Sequence, residues 1–366
     1  MNILIEIGHP AHVHKLAPTI HILTGKGHKV IVVTKEINSV TFLLKQKGIP
    51  FHVIGIKKDG LTGKGIMQLW YNLCCFILLK REKIDLMIGC VTASYMTRLT
   101  KVPSILLDDD DDEVEPLLVK YIHPYLTEIL SPSALTGNRH RKDTIYYPGY
   151  HELAYLHPTR FTPDESIIEE IGLKPGDSYF VVRFNAFKAH HDIGVHGLSI
   201  ESKRRLIALL ETAGTVFITS ERNLDEEFKK YQLLLSPEKI HSLIYFATML
   251  IGDSQTMTSE AAILGTPAVK CNTFAGKLAV PNELEQKYRL CYSFLPEESE
   301  AFFAKVDELL HVKDLKSRFV ARKDNMLADK IDVTAFYVWF IENYPESAGI
   351  VQKNPGYMYT FGSLKL

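Results

Sequence analysis

The sequence predicts an α/β protein made of two doubly wound, Rossmann-like parallel sheets. Short apolar runs alternate with stretches of helical periodicity along most of the chain. The alternation starts afresh after a segment rich in proline and aromatic residues, from Tyr146 to Pro163. With 366 residues, 46% of them apolar, the chain has enough material for two hydrophobic cores.

The first half opens with a β-α-β unit. Asn2 to Ile7 and Val30 to Val33 are apolar runs, and between them apolar residues recur at helical spacing from Val13 to Leu23. Because a proline deep in a helix loses a hydrogen bond, Pro18 predicts that this helix begins near His14. Further strands are predicted at Phe51 to Ile54, Asp85 to Ile88 and Ser104 to Leu107, and further helices at Gly65 to Lys80 and near Ser94.

The second half repeats the alternation. The predicted strands are Tyr179 to Val182, Val216 to Ile218, Met249 to Ile251 and Ala268 to Val269. The predicted helices are Glu201 to Leu210, His241 to Ala247, Met257 to Leu264, Ala301 to Leu310 and Ile331 to Ile341. We therefore expect an N-terminal domain over residues 1–160, a C-terminal domain over 161–330, a helix over 331–345 that returns to the first domain, and a tail over 346–366 without periodicity. Parallel sheets bind ligands at the carboxyl ends of their strands, so a cleft between the domains is the expected site.

Charge and cysteine content exclude several classes of protein. The 42 basic and 43 acidic residues leave a net charge of −1, so we expect no nucleic-acid partner and only local anion sites. Glu6 interrupts the first apolar run, which argues against a signal peptide, and the longest apolar stretch, Leu73 to Leu79, is too short to span a bilayer. Five cysteines without C-x-x-C spacing favour the cytoplasm.

The most informative segment runs from Leu250 to Val269. A strand ends at Gly252, Ser254 and Thr256 lie in a hydroxyl-rich turn, and a helix follows that ends at Gly265. Free backbone N–H groups and the helix dipole make this turn an anion site suited to a diphosphate. Glu260, one turn into the helix, can accept hydrogen bonds from a sugar diol; the alternative is a capped helix with a solvated glutamate.

This segment resembles the nucleotide-sugar signature of glycosyltransferase-B proteins, including the peptidoglycan N-acetylglucosaminyltransferase and the non-hydrolysing UDP-N-acetylglucosamine 2-epimerase. Nearly the whole chain is similar to a family of predicted glycosyltransferase-B proteins classified as a domain of unknown function. The residues that carry this similarity are Arg183, Ala189-His190, Glu152 to His157, Ile240-His241 and Asp253 to Ala262. The resemblance implies a glycosyltransferase-B fold and a nucleotide sugar, bound in part by Ser254, Gln255, Thr256 and Glu260, with no cofactor or metal required.

The loop Gly8 to Val13 is similar to the Gly-Gly-His-Val loop of the peptidoglycan transferase, and His12 falls on its histidine. An imidazole there can take the acceptor's proton. Pro10-Ala11 replaces the glycine pair, which argues against phosphate binding by this loop. His9, His12 and His14 as metal ligands are the less favoured alternative.

Four further candidate residues follow from the second half. Arg183 ends a strand and can offer a fork of donors to a diphosphate, or form a salt bridge with a neighbouring acid. His190 and His191 line the same cleft or face solvent. His241 opens a helix in a loop that lies near the nucleotide base in the resembling folds, and helix capping is the alternative.

Five consecutive aspartates, Asp108 to Asp112, follow the strand that ends at Leu107. Mutual repulsion favours a solvated loop. Asp108 and Asp109 nevertheless sit at the carboxyl end of a strand, where a base that deprotonates an acceptor hydroxyl is useful. A divalent ion could also neutralise the cluster.

The helix Gln68 to Lys80 is strongly apolar and has basic flanks. Its apolar residues are Leu69, Trp70, Leu73, Phe76, Ile77 and Leu79, and its basic flanks are Lys57, Lys58, Lys64, Lys80, Arg81 and Lys83. We favour packing against the sheet, and contact with the inner face of the membrane is the alternative.

Three functions remain open. The first is a glycosyltransferase that uses a UDP-activated N-acetylhexosamine in the biosynthesis of a cell-surface polysaccharide or glycolipid. The second is an epimerase or hydrolase of the 2-epimerase kind; against it, Gln255-Thr256 replaces the epimerase's glycine pair, and Asp108 to Asp112 stands in place of its His-Val-Glu-Ala-Gly segment. The third is a nucleotide-sugar-binding regulator without catalysis.

Overall fold

The computed structural model describes residues 1–56, 61–184, 197–220 and 224–362. The chain divides into two compact units: residues 1–160 together with the chain from Lys330 onward, and Phe161–Asp329. Each unit is built on one parallel β-sheet accompanied by helices. The predicted α/β class with two parallel sheets is confirmed.

The first unit contains the longer sheet. Its strands are β1 (Asn2–Ile7), β2 (Lys29–Glu36), β3 (Phe51–Ile56), β4 (Leu86–Ile88), β5 (Ser104–Leu107), β6 (Glu128–Pro132) and β7 (Ile145–Tyr147). Its described helices are α1 (Pro10–Gly25), α2 (Asn38–Gln46), α3 (Leu61–Glu82), α4 (Val91–Thr100), α5 (Pro116–Tyr121), α6 (Leu153–Leu156), α14 (Val333–Glu342) and α15 (Glu346–Lys353). The strand order is β3-β2-β1-β4-β5-β6-β7, and α14 packs against α1 and α6.

The second unit contains the shorter sheet. Its strands are β8 (Tyr179–Arg183), β9 (Thr215–Thr219), β10 (Met249–Gly252), β11 (Ala268–Cys271) and β12 (Cys291–Phe294). Its described helices are α7 (Ile167–Glu170), α8 (Ile200–Glu211), α9 (Ile240–Phe246), α10 (Gln255–Leu264), α11 (Ala279–Gln286), α12 (Ser299–Leu310) and α13 (Leu315–Asp329). The strand order is β12-β11-β10-β8-β9, so the carboxyl end of β10 lies between those of β8 and β11.

Helix α1 differs from its predicted form. It begins at Pro10, not near His14, and runs through Pro18, which therefore lies inside the helix. The helix tolerates the lost hydrogen bond because Val13, Leu16 and Leu23, among others, are buried along its inner face.

Helix α3 is only partly a core helix, and the prediction that its apolar residues pack against the sheet is wrong for most of them. Tyr71, Cys75, Leu78 and Leu79 are buried in the core of the first unit. The opposite side of the helix exposes Ile66, Leu69, Trp70, Leu73, Phe76 and Ile77. Both sides are therefore apolar, and periodicity alone could not assign the outer one. No helix in the described chain has the length and apolar character needed to cross a membrane.

Residues 346–366 were predicted to be a tail without helical periodicity, but the described part of this segment is largely helical. It forms α15 and a further helical segment, Pro355–Phe361, both of the first unit. Ser347 Oγ donates a hydrogen bond to the Phe340 carbonyl at 2.7 Å, and the rings of Trp339 and Tyr357 lie 4.8 Å apart. These contacts with α14 order a segment whose own sequence carries only a weak helical signal.

Candidate functional site

The predicted strand-turn-helix is present in the second unit. β10 ends at Gly252, and Ser254 caps α10 because its Oγ accepts a hydrogen bond from the Met257 N–H at 3.5 Å. Gly265 ends the helix with φ of 74°. The turn is shorter than predicted, since Gln255 and Thr256 already lie in the first helical turn. The first backbone N–H groups of α10 have no partner within the helix, as an anion site requires.

Gly252 is required by the close approach of two strands. Its φ is 155°, and a Cβ atom added there would lie 2.0 Å from the Arg183 carbonyl oxygen. The turn is fixed from both sides: the Asp253 N–H donates to the Arg183 carbonyl at 3.1 Å, and Asn272 Nδ2 donates to the Asp253 carbonyl at 2.9 Å. Strands β8 and β11 therefore hold the start of α10 in place.

His241 and Glu260 form a buried pair. His241 Nε2 and Glu260 Oε1 lie 3.0 Å apart, and each residue is 6% exposed. The alternative in which Glu260 is a solvated surface residue is wrong, because α9 and α10 pack together and enclose it. The imidazole contacts the carboxylate, and the residue that precedes α9 is Lys239, so His241 does not cap its helix.

Arg183 is the last residue of β8 and lies in register with Gly252 on β10. Its position at the end of the strand is the predicted one, and the residue is half-buried there. His190 and His191 lie outside the described residues. The described residues thus bring Arg183, Ser254, Gln255 and Glu260 to one end of the second sheet.

His12 lies in the first unit, in the first turn of α1, and is half-buried. The Gly8 N–H donates to its Nδ1 at 3.5 Å. Burial, together with the charges of Lys15 and His9, lowers the pKa of His12 to about 3. The imidazole therefore stays neutral through the pH range in which an ordinary histidine becomes protonated. In the parts of the chain that the structure describes, no three His, Cys, Asp or Glu side chains are grouped as metal ligands.

Asp109 is held between two cations near His12. Its carboxylate forms an ion pair with His151 Nδ1 and lies 3.7 Å from Lys15 Nζ, which also donates to the Leu107 carbonyl at 2.9 Å. Burial raises the pKa of Asp109, but the charges of His151 and Lys15 outweigh it and hold the pKa well below its usual range. Burial lowers the pKa of His151, but the charges of Asp109 and Glu152 outweigh it and raise the pKa to about 9.

Asp108, Asp111 and Asp112 are buried, so the prediction of a solvated acidic loop is wrong for these three residues. Arg139 compensates two of them: its Nη1 lies 2.8 Å from Asp108 Oδ2 and 2.7 Å from Asp112 Oδ1. Buried carboxylates are stable when a cation and hydrogen bonds satisfy them. Asp108 therefore faces Arg139, whereas Asp109 lies within electrostatic reach of His12.

Sequence reasoning missed four charged residues at the two sheet ends: Lys15, Arg139, His151 and Lys270. Lys270 lies on β11 and is 1% exposed, and its Nζ donates to Gln255 Oε1. A lysine inside an otherwise apolar strand was a usable signal. Lys15, Arg139 and His151 had no local signal, because their partners are distant in sequence.

The structure has two parallel-sheet α/β units, and the second unit contains a glycine turn, a capped helix and a buried glutamate. Together these features match the glycosyltransferase-B fold. The chain belongs to the family described as a protein of unknown function, DUF354, whose model matches residues 1–293. No curated protein matches the chain.

Solved structures of other proteins share the fold at low sequence identity. The S. aureus MnaA–UDP complex matches with a TM-score of 0.65 and 13% identity, over 95% of this chain and 98% of that one. The UDP-GlcNAc 2-epimerase from Neisseria meningitidis bound to UDP-GlcNAc matches with a TM-score of 0.57 and 14% identity, over 89% and 98%. The spinosyn rhamnosyltransferase SpnG, complexed with spinosyn aglycone, matches with a TM-score of 0.59 and 13% identity, over 94% and 100%.

Proposed function

We propose that this protein is a glycosyltransferase that moves a sugar from a nucleotide-diphosphate donor to a cell-surface glycan or a lipid-linked acceptor. The donor we propose is a UDP-N-acetylhexosamine. The observation that carries the proposal is the buried His241–Glu260 pair on the helix that follows the glycine turn. Burial of a carboxylate is costly, and hydrogen bonds from a ribose diol would offset part of that cost in addition to the contact with His241.

The donor groups lie in the second unit. The N-terminal amides of α10, with Ser254, Gln255 and Thr256, are suited to the diphosphate, and Arg183 to the charge that develops on it as the glycosidic bond breaks. Glu260 can accept hydrogen bonds from the ribose hydroxyls while one of its oxygens contacts His241, because a carboxylate has about four acceptor sites. His241 then sets the orientation of Glu260.

The acceptor groups lie in the first unit. We assign the base that removes the acceptor's hydroxyl proton to His12, because it lies just beyond the carboxyl end of β1 and falls on the histidine of the resembling loop. Its lowered pKa keeps the imidazole neutral, so that it can accept a hydrogen bond from the hydroxyl, and also makes it a weaker base than an ordinary histidine. Asp109 is the competing candidate, and its ion pairs with His151 and Lys15 likewise lower its pKa and weaken it as a base. Asp108, which forms an ion pair with Arg139, is the third candidate.

Transfer and epimerisation make opposite predictions for the donor sugar. When the protein is incubated with UDP-N-acetylglucosamine alone, we expect the configuration at C2 to stay intact, since a transferase needs an acceptor and does not act on the C2–H bond. Proton NMR of the sugar in deuterated buffer measures this directly. Accumulation of the C2 epimer, or deuterium incorporation at C2, would instead establish the epimerase function.

The exposed side of α3 supports contact with a membrane, the partner we propose for the first unit. The exposed stripe consists of Ile66, Leu69, Trp70, Leu73, Phe76 and Ile77, each between 38% and 71% exposed. Lys80 and Arg81 follow at the end of the helix, and the neighbouring α4 adds exposed Leu99 and the cation Arg98. Glu82 is the only acidic residue in α3 and α4, and it pairs with Lys29 and Arg81. An apolar stripe with basic flanks matches an anionic bilayer.

The double variant Leu69→Asp/Leu73→Asp should lose binding to vesicles that contain phosphatidylglycerol, because it places two negative charges in the stripe. Vesicle co-sedimentation measures the bound fraction, and pure phosphatidylcholine vesicles should bind the wild-type protein less. Leu234→Asp is the matched control, since Leu234 is 86% exposed in the second unit. Equal vesicle binding by the double variant and the control would show that the stripe does not contact the membrane. If the wild-type protein is a dimer and the double variant is a monomer, the stripe instead serves self-association.

A further inference from the structure

The carboxyl end of the second sheet carries one transverse row of residues. Parallel pairing places five residues side by side on adjacent strands, namely Thr219, Arg183, Gly252, Lys270 and Ser293. Residues in register on neighbouring parallel strands project from the same face of a sheet. Two cations, Arg183 and Lys270, therefore flank a glycine on one face.

This face is the one that α10 covers. Lys270 Nζ donates to the side chain of Gln255, the first residue of that helix. Strands lie about 4.8 Å apart, so the Cα atoms of Arg183 and Lys270 are separated by about 9.6 Å, with no side chain between them. Both cations thus lie on the strands that flank β10, the strand that leads into α10.

Lys270 forms no ion pair in the described part of the chain, and the acidic residue whose charge acts on it is Glu285, which accepts a hydrogen bond from the Ser293 N–H. It is 1% exposed, and no described carboxylate lies within salt-bridge distance of its Nζ. Burial lowers its pKa to about 8. A buried ammonium that forms no direct ion pair costs free energy, so packing alone does not account for a lysine here.

Two polar atoms beside Lys270 are also unsatisfied. Gln255 Nε2 and Ser293 Oγ are buried and have no hydrogen-bond partner among the described residues. Gln255 contacts Lys270 directly, and Ser293 is its register neighbour on β12. Buried polar atoms are nearly always satisfied, so these two atoms are available to hydrogen-bond a polar group bound beside Lys270.

We propose that Lys270, opposite Arg183 across Gly252, binds the diphosphate of the nucleotide donor, and that Gln255 orients the Lys270 ammonium toward it. The assignment rests on the proposed function and adds a diphosphate-binding residue to it. The ammonium supplies the positive charge that a metal ion supplies in other nucleotide sites, and it neutralises the diphosphate as it leaves.

The test is isothermal titration of wild type and Lys270→Met with UDP, uridine and inorganic pyrophosphate. We expect the Kd for UDP and for pyrophosphate to rise about tenfold or more, the loss of one charge-assisted hydrogen bond. The Kd for uridine should stay unchanged. Lys277→Met is the matched control, because Lys277 is an exposed lysine of the same unit.

Thermal unfolding separates binding from structure. Because the variant removes a buried charge, its Tm without ligand should equal or exceed that of wild type, whereas a purely structural lysine would lower it. If Lys270→Met fails to fold, Lys270→Gln removes the charge, keeps a donor for Gln255, and should give the same loss of UDP and pyrophosphate affinity.

The outcomes distinguish this assignment from the function on which it rests. If the wild-type protein binds UDP and Lys270→Met binds it with equal affinity, the role of Lys270 is overturned and the donor assignment stays intact. An equal loss for uridine and UDP overturns it too, because the diphosphate is then not the group bound. Failure of wild type to bind any nucleoside diphosphate overturns the proposed function itself.

Discussion

Replacing His12 by alanine should lower the turnover of sugar transfer about a hundredfold or more, the usual range for loss of a general base. The affinity for UDP should stay unchanged, because the donor groups lie in the second unit, whereas His12 belongs to the first. Steady-state rates together with UDP titration measure the two quantities separately. His21→Ala is the matched control, since His21 is an exposed histidine of the same helix.

The pH dependence supplies a second readout for His12. Its pKa is lowered from 6.5 to about 3, so the base stays unprotonated as the pH falls from 8 through 6.5. The kcat/KM profile should therefore lack an acidic limb near pH 6.5 and fall only at much lower pH. A limb at pH 6 to 7 that disappears in His12→Ala would show that the imidazole titrates normally and that its environment in the active enzyme differs.

The aspartates decide the outcome if His12→Ala keeps its turnover. Asp109→Asn removes the partner of both His151 and Lys15, and Asp108→Asn removes one of the two carboxylates on Arg139. Collapse of turnover in either variant, with a preserved Tm, moves the base to that carboxylate. Survival of turnover in all three variants would leave the reaction without a base among these residues.

Glu260→Ala should weaken UDP binding by about 1.5 to 3 kcal/mol, the range for hydrogen bonds to a charged group. The variant removes the proposed acceptor of the ribose hydroxyls and the partner of His241. Calorimetry with UDP measures the loss. Glu300→Ala, at an exposed glutamate that pairs with Arg205 in the same unit, should leave the affinity unchanged.

A double-mutant cycle with 2′-deoxy-UDP separates ribose recognition from a general effect on the site. If Glu260 binds the diol, the wild-type protein should prefer UDP to the deoxy analogue, and Glu260→Ala should lose most of that preference. His241→Ala should give a smaller loss, since it removes only the group that orients the carboxylate. A preference that is unchanged in Glu260→Ala would place the ribose elsewhere.

The element order could be predicted from the sequence because its signals are local. Apolar runs located the strands that end at Leu107, Arg183 and Gly252, and turn chemistry located the cap at Ser254 and the stop at Gly265. The predictions were wrong where packing against other segments determines the structure. The exposure of the outer side of α3 and the helical form of the tail both depend on which surfaces the rest of the unit covers.

The sequence by itself determined the two-sheet class and the residues at the strand ends, since strand, turn and helix signals act within a few residues. Only the tertiary structure decided which charged groups meet. Asp112 pairs with Arg139, and Asp109 pairs with Lys15 and His151. Glu260 contacts His241. The partners in each case are 19 residues or more apart in the sequence. Burial by other segments also explains why His12, an ordinary histidine in the sequence, has a strongly lowered pKa in the fold.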